Sequence, residues 1–212
     1  MNETLFDRIN TFARATPWLH GVIAAYAAYG VVVFALLLAG GLWVARTDGR
    51  AAVLAAAVWA PLGMLLALAI NQPISEAVGE RRPCAALPGI IVLAHCGKDF
   101  SFPSDHATMA GAVAAGLLVV TRRAVAWLAV AAAVLMAASR VYVAAHYPHD
   151  VAAGLLVGAL ITLAGWLAAR RLLTRLVEAL RATPLRPLLV SAAPPGRHAA
   201  GHAASSAQRP LP

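Results

Sequence analysis

The sequence predicts an all-α fold, a polytopic membrane helix bundle of about five transmembrane helices preceded by an N-terminal amphipathic helix. Three observations predict it. Of the 212 residues, 61% are hydrophobic and 12% charged, and the mean hydropathy is +0.74, whereas a soluble domain is near half apolar and a quarter charged. The apolar residues fall in runs that match the roughly 20 residues a span requires. Lysine and arginine are distributed unevenly around those runs, which is how membrane topology is written.

The chain begins "MNETLFDRINTFARATPWLH". No basic stretch is followed here by a short apolar core and a small-residue cleavage site, so no removable signal peptide is expected. Leu5, Phe6, Ile9 and Phe12 recur at helical spacing, which predicts an amphipathic helix within residues 1–18, lying at the membrane surface. Residues 21–45 and 51–70 are long enough to span. Residues 104–120 are marginal in length but strongly apolar after His106. Residues 124–145 span if Ser139 and Arg140 are tolerated, and 151–169 complete the set. A membrane-embedded domain is therefore expected over 19–172. Residues 173–212 are expected to be a basic, largely disordered cytoplasmic tail. From 182 onward Pro, Ala, Gly and Ser dominate without apolar period. His198 and His202 in that tail have no further ligands nearby, so no metal site is expected there.

Eleven arginines lie on one side of the spans: Arg46, Arg50, Arg122, Arg123, Arg170, Arg171, Arg175, Arg181, Arg186, Arg197 and Arg209. Only Asp48 and Glu178 oppose them. That side is expected to be cytoplasmic, with the C-terminus inside and the N-terminus outside. The net charge of +8 then reads as a topology signal, and no nucleic-acid partner is expected because the bases are scattered over separate turns and a tail. Cys84 and Cys96 both fall in the outward 71–105 connection, where they are either a short-loop disulfide or two unpaired thiols; spacing does not decide.

Three polar clusters share the outer face: "NQPISEAVGERRP" at 71–83, "SFPSDHAT" at 101–108 and "SRVYVAAHYPHD" at 139–150. Each taken singly reads as a solvated loop or an ordinary helix start. Ionisable groups at membrane-embedded ends are costly and usually functional, however, and three together make a functional site. Arg82 and Arg140 are fork-shaped donors suited to phosphate oxygens. Ser104 offers a hydroxyl at a helix start, where free N–H groups attract anions. His146, with Asp150 four residues on, fits a nucleophile with an orienting carboxylate. His149 lacks a partner at that spacing. His106 fits a general acid for the leaving oxygen. No metal or cofactor is called for, and charge neutralisation is assigned to arginines and helix ends.

These residues resemble a known family. "SRVYVAAHYPHD" fits Ser-Arg, five residues, His, three residues, Asp; "FPSDHA" fits Pro-Ser-x-His; "RRP" fits a closing Arg-Pro. In order, they resemble the type-2 phosphatidic acid phosphatase superfamily, whose fold is shared with vanadium haloperoxidases. The resemblance implies His146 as nucleophile, Asp150 as its partner, His106 as leaving-group acid, Arg82, Ser104 and Arg140 as phosphate ligands, and no metal. The family's first element begins with a Lys seven positions before its Arg. Here that position is Ser75, which leaves Arg81 or Lys98 as substitutes in phosphate binding. The second element has Asp105 where Gly is usual. "SFPSDHAT", "LFDRIN" and "INQ" at 70–72 are similar to the bacitracin-resistance subgroup, the undecaprenyl-diphosphate phosphatases. The resemblance thus implies a multi-pass cell-membrane hydrolase of a polyprenyl diphosphate, acting on the extracytoplasmic side. A broader lipid phosphate phosphatase and a non-catalytic lipid-phosphate binder are the alternatives.

Overall fold

The computed structural model describes residues 2–121 and 123–184. Its helices, in chain order, are α1 (Asn2–Ala15), α2 (His20–Tyr29), α3 (Val31–Asp48), α4 (Ala51–Val78), the short α5 (Pro83–Ala86), α6 (Asp105–Val120), α7 (Ala124–Tyr142) and α8 (Pro148–Arg181). Four of them, α3, α4, α7 and α8, are long and apolar enough to cross a membrane, and α6 is a shorter apolar helix. The protein is a multi-pass membrane helix bundle.

The short third run succeeds as a helix because of where it sits. α6 packs most extensively against α8 and α4, and also against α7. Residues along its whole length, from Ala107 to Val120, are buried. A helix that is apolar all round belongs in such a core. Two glycines of α8 let α6 approach: a side chain at Gly158 would collide with the Thr108 carbonyl, and a Cβ at Gly154 would stand 2.6 Å from the Ser104 carbonyl oxygen. Small residues at helix crossings serve this purpose in lipid.

The sequence is corrected in two places. The run at 21–45 is divided: α2 ends at Tyr29 and α3 starts at Val31, with Gly30, itself in the right-handed helical region (φ −60, ψ −16), at the junction. α8 runs on to Arg181, through residues assigned from the sequence to the tail. At about 1.5 Å per residue its 34 residues exceed the roughly 30 Å hydrocarbon core, so an apolar count alone places its end too early. The remainder of the predicted tail, including His198 and His202, lies outside the described residues.

α1 lies across α7 and α8 rather than among the spans. Phe6 is buried and Ile9 packs against the core, while Leu5 and Phe12 remain exposed. Asn10 fastens the helix to the outer connection: its amide donates to the Ile91 carbonyl at 2.8 Å, and its oxygen accepts from the Ile91 N–H at 3.1 Å. The arginine-rich turns gather at the opposite end, where Arg181 donates to the Gly49 carbonyl at 2.8 Å.

Candidate active site

The C-terminal end of α4, α5, the N-terminus of α6 and the α7–α8 turn converge at one end of the bundle. A cavity of about 190 Å³ opens there, lined by Arg82, His95, Gly97, Asp99, Asp105, His106, Arg140 and His146. Arg82, Arg140, His106 and His146, chosen from three separate sequence clusters, therefore face one another.

His146 occupies the turn between α7 and α8 and is 1% exposed. Its Nδ1 lies 2.8 Å from the Ser101 carbonyl oxygen, and its Nε2 lies 2.9 Å from Arg82 Nη1. A carbonyl only accepts and a guanidinium only donates. The proton is thus on Nδ1, and the Nε2 lone pair faces the cavity. Burial, with the charges of Arg82 and Arg140, pushes the imidazole below its ordinary pKa against the opposing negative charge of Asp150. A neutral ring with an unprotonated Nε2, once Arg82 turns to another acceptor, is the nucleophilic form.

Asp150 differs from its expected placement. Its Oδ2 is 3.6 Å from His146 Nδ1, beyond a hydrogen bond of normal length. Oδ2 instead accepts from the Tyr147 N–H at 2.7 Å and from the Ser101 hydroxyl. Asp150 holds the turn and supplies charge, and Ser101 fixes the tautomer through its carbonyl. Ser101 is not legible in the sequence because a backbone carbonyl leaves no trace in residue type. Ala144, in the same turn, adopts φ +61, a region rarely used by residues with a Cβ. This lets the N–H groups of Ala145 and His146 both turn to the Arg140 carbonyl, at 3.1 and 3.3 Å.

The cations are partly committed. Arg82 donates to the Asp99 carboxylate at 2.6 Å, to the Asp99 carbonyl at 3.2 Å and to the Ala145 carbonyl at 3.0 Å. Burial opposes ionisation of Asp99, but the hydrogen bond and charge of Arg82 outweigh it and hold that carboxyl below its usual range. Arg140 donates to the Ala27 carbonyl at 3.2 Å, while its Nε is buried without a hydrogen-bond partner. The Ser104 hydroxyl is likewise buried and unpartnered. It immediately precedes α6 and receives no capping role. An orphaned guanidinium donor from the last turn of α7 and an orphaned hydroxyl at the N-terminus of α6 are donors suited to an anion.

Arg81 and Lys98 do not line the cavity. Both are exposed, and Arg81 turns away to donate to the Ala85 carbonyl at 2.9 Å. Gly97 and Asp99 line it on either side of Lys98, so the intervening side chain points elsewhere. Ser75 is not among the lining residues either. In its place the lining gains His95 and Asp99, on a loop tied down by a Cys84–Cys96 disulfide. Asp105 accepts from Asn71 at 2.7 Å and from Gln72 at 3.1 Å. The "INQ" at 70–72 and the Asp of "FPSDH" are thus one network across α4 and α6.

The protein matches known relatives over most of its length. It is 32% identical over 161 residues to the undecaprenyl-diphosphatase BcrC of Bacillus subtilis, covering 76% of this chain and 80% of that one. It is 31% identical over 159 residues to the putative undecaprenyl-diphosphatase YbjG of Escherichia coli, covering 74% and 77%. In fold it is similar to the crystal structure of Aquifex aeolicus LpxE, with TM-score 0.57 and 24% identity over 77% of this chain and 93% of that one. Residues 56–173, which contain every group facing the cavity, match the model of the PAP2 superfamily, and the chain belongs to that superfamily.

Proposed function

We propose that the protein removes the terminal phosphate of undecaprenyl diphosphate through a phospho-histidine intermediate, regenerating the monophosphate carrier used in cell-wall synthesis. The observation that carries this is the pairing of a neutral, correctly tautomerised His146 with a buried, unpartnered donor on Arg140 in the lining of one small cavity; Ser104, also buried and unpartnered, precedes the lining residues Asp105 and His106 without lining the cavity itself. The cavity has room for a phosphate group but not for a long apolar chain, which stays in lipid.

In this reading the terminal phosphate replaces Asp99 and His146 as the acceptor for Arg82 and takes donors from Arg140, Ser104 and the α6 N-terminus. His146 Nε2 attacks phosphorus, and the bond to the bridging oxygen breaks. His106, in the first turn of α6, donates a proton to that oxygen, and undecaprenyl phosphate leaves. His106 then takes a proton from water, which attacks the phospho-histidine and releases inorganic phosphate. The Asp105–Asn71–Gln72 network, which joins two features similar to the bacitracin-resistance subgroup, supports the diphosphate over other lipid phosphates. The arginine-rich end opposite the cavity supports an extracytoplasmic site in the cell membrane and a cytoplasmic C-terminus.

The test is phosphate release by purified protein in EDTA from undecaprenyl diphosphate, phosphatidic acid and phosphatidylglycerol phosphate. A preference for the diphosphate of at least about tenfold in kcat/KM, or about 1.4 kcal/mol, is expected. Equal turnover of all three would favour a broad lipid phosphatase, and binding without release would favour a non-catalytic lipid-phosphate protein.

A further inference from the structure

Asp150 has two oxygens in different surroundings. Oδ2 is engaged by Ser101 and Tyr147. Oδ1 is fully buried with no hydrogen-bond partner, and it points to His149 Nε2 at 3.1 Å. That same Nε2 lies 2.8 Å from Glu80 Oε2. One ligand atom from each of Glu80, His149 and Asp150 falls within 4.8 Å of the others. We propose that these three residues bind a divalent transition-metal cation of the zinc class beside the phosphate cavity.

The donor set suits such an ion: one imidazole nitrogen and two carboxylate oxygens, with a fourth position left for water. His149 is preorganised for it. Its ring stacks on Phe102 and Tyr147, with centroids 5.4 and 5.9 Å away. Tetrahedral ligands at about 2.0–2.1 Å from zinc stand about 3.3 Å apart, so spacings of 2.8 and 3.1 Å need only a slight opening. His149 and Glu80 are 41% and 28% exposed, which gives an ion a way in.

A proton alone does not satisfy this cluster. The Asn2 oxygen accepts from the His149 N–H at 3.2 Å, and the Asn2 amide nitrogen stands against Nδ1. Nδ1 therefore accepts, and a single proton sits on Nε2 between two carboxylates. It serves Glu80, and Asp150 Oδ1 is left without a donor. A cation in that place serves both; the ring proton then moves to Nδ1, and the Asn2 side chain gives up its contact with the ring. Such an ion would also draw charge from Asp150 and weaken its support of His146. Zinc is thus an inhibitor here rather than a cofactor. This inhibitory arm rests on the proposed role of His146; the binding arm does not.

The experiment titrates full-length, EDTA-stripped and dialysed protein with zinc in a calorimeter, and in parallel follows phosphate release. One zinc ion should bind, about 100-fold more weakly after His149→Ala and at least about tenfold more weakly after Glu80→Gln. Micromolar zinc should inhibit the wild type but not His149→Ala, which keeps its activity in EDTA. Should His149→Ala fail to fold, Glu80→Gln carries the comparison. No saturable binding by the wild type, or equal binding by both variants, overturns the site. Binding that leaves activity untouched keeps the site and refutes its coupling to His146.

Discussion

Replacing Asp150 by Asn separates the two tasks a carboxylate beside a catalytic histidine can perform. Asn keeps an oxygen for the Tyr147 N–H and the Ser101 hydroxyl, both now held by Asp150. Its amide nitrogen takes the place of Oδ1 beside His149. The tautomer of His146 should survive, because the Ser101 carbonyl accepts from Nδ1 at 2.8 Å. What is lost is charge. A carboxylate 3.6 Å from the ring stabilises a full imidazolium by about 4.6 kcal/mol at an effective dielectric of about 20. With about half of that charge developed in the transition state, the loss is about 2.3 kcal/mol, or about 50-fold in kcat. KM should change little, since Asp150 does not line the cavity. Steady-state phosphate release measures both constants. Where a carboxylate alone sets the tautomer, amide replacement costs about 10⁴-fold. A loss that large would refute the assignment of the tautomer to Ser101, and a loss below about threefold would refute the charge argument.

Three further outcomes are expected. Ala144→Gly should raise the melting temperature in detergent by an amount equivalent to about 0.5–1 kcal/mol, because glycine relieves the positive φ at this turn while adding unfolded-state freedom; a lower melting temperature would show that Ala144 is not strained. Reduction of Cys84–Cys96, 12 residues apart, should cost about 3 kcal/mol of stability and raise KM more than it lowers kcat, since the loop carries His95 and Asp99; thiol titration with melting curves and kinetics checks both. Because His146 is held below its ordinary pKa, kcat/KM should stay level as pH falls through about 6.5 and decline only below it. Stability should fall over the same interval, since the unfolded imidazole takes up a proton that the folded one refuses; an activity limb at or above the ordinary value would contradict this.

The bundle was legible because lipid imposes length and polarity on every span, so apolar runs give the helices nearly directly. The boundaries were less so. Gly30 divides a run of unbroken hydropathy into α2 and α3, and the emergent end of α8 keeps its helix after its apolar period fades. In the site, side chains whose chemistry is strong and whose spacing is local were found: Arg82, His106, Arg140, His146 and Asp150. Contacts made by backbone were not. The Ser101 carbonyl on His146 and the carbonyls that hold Arg82 depend on how distant turns meet, which no residue type announces. Arg81 and Lys98 failed for a related reason, because neighbours along an extended chain point to different sides. His149 has no acid four residues away in sequence, and its partner Glu80 arrives from beyond the end of another helix.

The central claim is that Nε2 of His146 carries the phosphoryl group. Rapid acid-free quenching of the protein with undecaprenyl diphosphate labelled in its terminal phosphate, followed by peptide mapping, tests it most directly. An acid-labile, base-stable label is expected on the peptide containing His146, present in wild type and His149→Ala and absent from His146→Ala, which should also release no phosphate. Label or turnover persisting in His146→Ala would contradict it.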